Sequence, residues 1–230
     1  MKRLSFFLLA LTALTLTPRI ANSQPMQKGQ LSLHAGAAFP QGEFGATDED
    51  DENSGFATTG LTVAGEYTYP IGTPGLGIVG SISVTANGMN ENELFEGVDE
   101  DDEVDVSSGY WINVPVMGGL RYETEVSPTA DLYGVGQVGI NINRGPTVEA
   151  SDDDVSATIS HSTVTSTGFT IGAGVAFSDQ IDVSIRYLKL GTPEITREAE
   201  VQFDGETQRE EDYEYDQPLA AIQLLVGFDL

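Results

Sequence analysis

The sequence predicts an all-β fold, an eight-stranded antiparallel up-and-down transmembrane β-barrel, and three observations carry that prediction. Eight segments of roughly ten or more residues, the length a tilted strand needs to cross hydrocarbon, place apolar side chains at every second position. The connections between them alternate short and long. The carboxylates crowd into the long ones.

The strands follow in order after an N-terminal export signal. Met1-Lys2-Arg3 is a positive n-region, Leu4 to Thr17 an apolar h-region, and Ala21-Asn22-Ser23 supplies the small residues that signal peptidase needs. The expected division is therefore a signal peptide over 1–23 and a barrel domain over 24–230. Strand one is expected over Gly29 to Phe39, with Leu31, Leu33, Ala35, Ala37 and Phe39 on one face. Strand two spans Phe56 to Tyr69, and the turn Pro70 to Gly75 leads to strand three, Leu76 to Asn87. Strand four spans Gly109 to Glu123. A turn over Thr124 to Ala130 precedes strand five, Asp131 to Asn143. Strand six is Thr167 to Phe177, Ser178 to Gln180 turn into strand seven, Ile181 to Leu190, and Ala220 to Leu230 forms strand eight.

With both ends of the barrel in the periplasm, the short turns are periplasmic and the four long segments extracellular. The long segments Pro40 to Gly55, Gly88 to Ser108, Arg144 to Ser166 and Gly191 to Asp216 hold 6, 9, 4 and 10 acids, 29 of the 36 in the chain. That leaves the lipid face almost free of charge, as its cost in hydrocarbon demands. These segments either extend the strands as a rigid hairpin tower or remain disordered, and their composition, rich in charge and poor in apolar residues, favours disorder at low salt. A formal charge of -26 repels nucleic acid and favours cations or basic partners. The absence of cysteine excludes lipoprotein attachment, disulfides and thiolate metal sites.

Asn113-Val-Pro-Val-Met-Gly-Gly-Leu-Arg-Tyr122, Tyr133-Gly-Val-Gly-Gln-Val-Gly-Ile140 and Gly168-Phe-Thr-Ile-Gly-Ala-Gly-Val-Ala-Phe177 resemble strands of the small OmpA/OmpX-like outer-membrane β-barrel family. The resemblance implies an eight-stranded barrel in the bacterial outer membrane, surrounded by its lipid and inserted by the outer-membrane assembly machinery. Adhesins, host-defence factors and structural anchors share that fold, so function has to be argued from sites.

Two candidate sites stand out. The first is the lumen face, opposite the lipid face, with Glu66, Arg121, Arg186, Tyr133 and Gln137 beside His34, Trp111 and Gln223. An eight-stranded barrel is just wide enough for side chains to fill, so Glu66 is expected to pair with Arg121 or Arg186 in a plug. The second is the acidic loops: Asp48, Asp50 and Asp51; Asp99, Asp101 and Asp102; Asp152, Asp153 and Asp154. They suit a solvated, salt-adapted surface of a halophile, a calcium site or a basic partner. None matches an EF-hand.

The function expected is a non-enzymatic structural or surface-interaction role, without cofactor, in a monomer. One alternative is a small cation-selective pore with Glu66 in its path. Another is a lipid A-modifying enzyme, for which His161-Ser162 and His34 supply residue types but no triad spacing. A soluble lipocalin-type barrel would turn Leu33, Ile112 and Val175 inward.

Overall fold

The computed structural model describes residues 29–48, 53–90, 105–151, 155–177, 180–203, 206–209 and 212–230. The expected signal peptide lies outside them.

Eight antiparallel strands close into a barrel: β1 (Gln30–Pro40), β2 (Ala57–Pro70), β3 (Leu76–Met89), β5 (Trp111–Ser127), β6 (Ala130–Arg144), β9 (Thr163–Phe177), β10 (Ile181–Lys189) and β14 (Ala220–Asp229). Each corresponds to an expected strand. Closure joins β1 to β14, where Leu33 pairs with Phe228. A row of paired residues leaving β1 at Pro40 passes through Ala221, Leu188, Thr170, Gln137, Gly119, Val79 and Thr68 and returns to β1 at Gln30. The offset from 40 to 30 is a shear of ten residues, which tilts the strands by about 40°.

Alternation sets two faces. Leu61 is 74% exposed and Val138 69%, whereas Glu66 is 1% exposed. Leu33 points out, and Ile112 and Val175 lie on the same outer face, each flanked by inward, buried neighbours. The polarity is thus that of a barrel in lipid, not of a lipocalin. The turn expected over Thr124 to Ala130 is shorter than that: β5 runs on through an irregularity near Glu125 to Ser127, and β6 begins at Ala130. Pro128 starts the turn because it lacks the N–H that a strand needs.

Of the two possibilities for the long connections, the described residues take the ordered one that extends the strands: the second, third and fourth build a six-stranded sheet from β4 (Asp105–Ser108), β7 (Val148–Ser151), β8 (Val155–His161), β11 (Glu194–Phe203), β12 (Glu206–Arg209) and β13 (Tyr213–Asp216). Hydrogen-bonded pairing of β8 with β11 and of β7 with β8 holds it together. Period-two alternation of Ile195, Ala199, Val201 and Phe203 persists beneath the charge density of β11. Pattern outweighs composition here, because a strand needs only one apolar face.

Candidate functional site: lumen, mouth plug and extracellular sheet

All five expected lumen residues are buried. Arg186 Nη1 donates to Glu66 Oε2 at 2.8 Å and Arg121 Nη1 to Glu66 Oε1 at 3.4 Å, so β2, β5 and β10 are cross-linked through one carboxylate. Arg121 Nη2 also donates to Glu123 Oε2 at 2.9 Å, and its guanidinium lies 3.7 Å from the centre of the Tyr133 ring. Two arginines and two glutamates thus balance one another, as burial in low dielectric requires. Gln137 Nε2 donates to Ser81 Oγ at 3.0 Å.

Further polar residues continue the filling. Tyr133 donates its hydroxyl to Asp182 Oδ1 at 2.7 Å, and Asp182 Oδ2 lies 3.7 Å from His34 Nδ1. His34 and Asp182 are each in register with Gly227 of β14 between them, and a Cβ on Gly227 would collide with both side chains. Gln223 donates to Thr85 Oγ1, Thr85 to Thr62 Oγ1, and Asn113 Oδ1 accepts from Asn141 and Asn143. Sequence reasoning passed over Asp182, although it alternates in phase with Arg186; so did the asparagines, in phase with Gln137 and Arg121.

The extracellular mouth is closed by apolar residues. Phe44 and Trp111 meet edge to face at 5.6 Å, packed with Leu188, Leu190, Ile195 and Leu219. Phe44 sits on a single 3-10 turn, Gly42–Gly45. Trp111 Nε1 donates to Gly55 O at 2.9 Å, and the next residue, Phe56, takes φ +48, a conformation that side chains rarely adopt. Bonds from Phe56 N to Ala46 O and from Asn90 N to Phe56 O hold it there. Gln217, fully buried, ties in the 53–55 segment by donating to Asn53 O at 3.0 Å. No spacing rule would have singled out Phe44, whose partners come from β5, β10 and the stretch between β10 and β14.

Above the plug, aromatic rings lead into the sheet: Trp111 to His161 at 6.0 Å, His161 to Tyr215 at 6.3 Å, and Tyr215 stacked on Tyr213. His161 Nδ1 donates to Pro146 O at 2.5 Å. Burial and the nearby Arg197 charge hold its imidazole below the usual histidine range, against the opposing pull of that bond. Burial pushes the Tyr215 phenol up to about 12, with Arg197 opposing. Ser162 Oγ accepts from Thr196 N rather than facing His161 as a nucleophile would. Among the expected loop acids, Asp48 is exposed beside the mouth; Asp50, Asp51, Asp99, Asp101, Asp102, Asp152, Asp153 and Asp154 lie outside the described residues. Among the described residues no group of three or more His, Asp or Glu is placed to hold a metal ion.

Residues 6–217 match the family model described as the outer membrane protein beta-barrel domain. No curated protein sequence matches. Solved structures similar to the chain include the Neisserial surface protein A, at 11% identity over 88% of this chain and 96% of that one, TM-score 0.45. The attachment invasion locus protein Ail of Yersinia pestis is 16% identical over 89% and 100%, TM-score 0.40. OprG of Pseudomonas aeruginosa is 12% identical over 90% and 98%, TM-score 0.46. On the family match across nearly its whole length, the chain belongs to the outer membrane protein β-barrel domain family and is a protein of the bacterial outer membrane.

Proposed function

We propose that this chain is a non-enzymatic surface protein whose barrel is a filled anchor and whose extracellular sheet is the working surface. The observation that carries this reading is the plug of Phe44, Trp111, Leu190, Ile195 and Leu219, seated over the Glu66 ion pairs. A permeant ion would have to displace apolar side chains and then a paired carboxylate. The engagement of His161 with Pro146 and of Ser162 with Thr196 supports a role without catalysis. The acids at 48, 50, 51, 99, 101, 102 and 152–154 act in this reading as a solvated, salt-screened coat that favours cations and basic partners over polyanions. Export through the signal at 1–23 and insertion by the assembly machinery belong to the same proposal.

Planar-bilayer recording on the refolded, detergent-purified chain tests it at low and high salt. Silence from a folded, heat-modifiable barrel is the expected result. Steady cation-selective steps that disappear in Glu66→Gln would overturn it in favour of a small pore.

A further inference from the structure

The lipid face of the barrel carries a recess. Two consecutive outward positions of β6, Gly134 and Gly136, lack a side chain. Ala173 of β9 stands in register with Gly134 and adds only a methyl group to this floor. The walls are bulky: Leu120 and Tyr122 of β5 pair with Gly136 and Gly134, and Ile171 of β9 pairs with Gly136 on the other side. Between them opens a groove of about 700 Å³, several times the ~150 Å³ that suffices for a benzene ring inside a protein.

We propose that this recess binds one acyl chain of a periplasmic-leaflet phospholipid whose headgroup is zwitterionic and ends in an ammonium. The recess lies wholly within the surface that faces hydrocarbon, and its depth selects the leaflet. Gly134 is four residues above the start of β6 at Ala130, and Ala173 is four residues from the end of β9 at Phe177. With a rise of about 3.3 Å per residue and a tilt of about 40°, the floor begins ~10 Å above the periplasmic rim. At Gly136 it reaches ~15 Å, the middle of a hydrocarbon layer about 30 Å thick. A chain rising from the periplasmic leaflet therefore runs the length of the recess, whereas one descending from the outer leaflet ends at its upper edge. Size argues against a second copy of the barrel as occupant. A floor two residues long and two strands wide offers on the order of 100 Å², against ~800 Å² per partner in a standard interface.

The lower end of the recess selects the headgroup. Tyr122, 51% exposed and in register with Leu76 where β3 begins, sets its phenol at the level of the ester and phosphate groups. The rim below it is acidic, with Glu123, Glu125, Asp131 and Asp229 within a few residues of the periplasmic ends of β5, β6 and β14. The exposed cations among the described residues, Arg144, Lys189, Arg197 and Arg209, all stand at the other end of the barrel or in the extracellular sheet. Such a rim attracts an ammonium and repels a headgroup of net negative charge.

The test uses the full chain, refolded into vesicles of equimolar phosphatidylethanolamine and phosphatidylglycerol with matched acyl chains. The protein is extracted in mild detergent and weighed intact by native mass spectrometry. One retained phosphatidylethanolamine per chain is expected. Gly136→Leu fills the recess and should lower the retained fraction about tenfold, the equivalent of roughly two methylene groups returned to the solvent lipid. Gly65→Leu is the control, on the lipid face three strands away, where a Cβ would meet only Leu33 at 4.0 Å; it should leave retention unchanged. In the unsubstituted chain, a diazirine at mid-chain of the phosphatidylethanolamine should label the peptides that hold Leu120, Gly136 and Ile171. Protein free of lipid, retention indifferent to Gly136→Leu, equal losses in Gly65→Leu, or label spread evenly around the barrel would each overturn the proposal. Phosphatidylglycerol retained as well as phosphatidylethanolamine would overturn the choice of headgroup, and a two-chain mass abolished by Gly136→Leu would give the recess to a second copy. Neither readout involves conductance, so failure here leaves the filled-anchor reading standing.

Discussion

Trp111 and His161 stand with ring centroids 6.0 Å apart, one closing the barrel mouth and the other opening the extracellular sheet. The contact couples the two parts of the molecule through an imidazole that burial keeps neutral.

A depressed histidine pKa stabilises the folded state fully above the unfolded value of about 6.5, and that contribution is lost as pH falls through the lower folded value. The contact between sheet and plug should therefore loosen below about pH 6.5. Trp111 is the chain's single tryptophan, so tryptophan fluorescence reports on the plug where this contact is made. An acid-side transition is expected, absent in His161→Phe; an unchanged transition in that variant would disconnect it from the imidazole. Tyr215 behaves oppositely: its raised pKa leaves its contribution intact below about 10, lost only as pH rises through about 12.

Gly227→Ala should destabilise the barrel by about 1–3 kcal/mol, because its Cβ would collide with Asp182 and His34. Gly136→Ala is the control: on the lipid face a Cβ there meets nothing within 4 Å. Urea unfolding midpoints of the two variants in the same detergent should separate. Equal midpoints would show that the lumen yields where the geometry says it cannot.

Glu194 and Asp216 face each other directly across β11 and β13. Like charges so placed repel, so Asp216→Asn should stabilise the extracellular sheet at low salt by about 0.2–1 kcal/mol. The gain should shrink at high salt. Protection of the sheet from limited proteolysis measures it, and a gain independent of salt would point to something other than charge.

The barrel was legible in the sequence because alternation against lipid is unforgiving: a one-residue slip would turn Glu66 and Arg186 outward. The pairing of Glu66 with two arginines was legible in kind, since only a few lumen charges can balance it, although Glu123 and Asp182 were overlooked. The mouth plug was not legible. Phe44, Trp111, Ile195 and Leu219 are far apart in the chain, and their meeting follows from closure rather than from any local pattern. The outer sheet was half visible, its alternation in β11 masked by glutamates whose number suggested disorder while their spacing specified a strand.

The ten-residue offset of the hydrogen-bond ladder has a mechanical consequence. Strand number and offset together fix the girth of the cylinder, so the wall cannot dilate without breaking a whole line of backbone bonds. Any change in what the interior admits must come from rotation of side chains within a rigid tube. In such a molecule the contents can change while the hoop that holds them keeps its calibre.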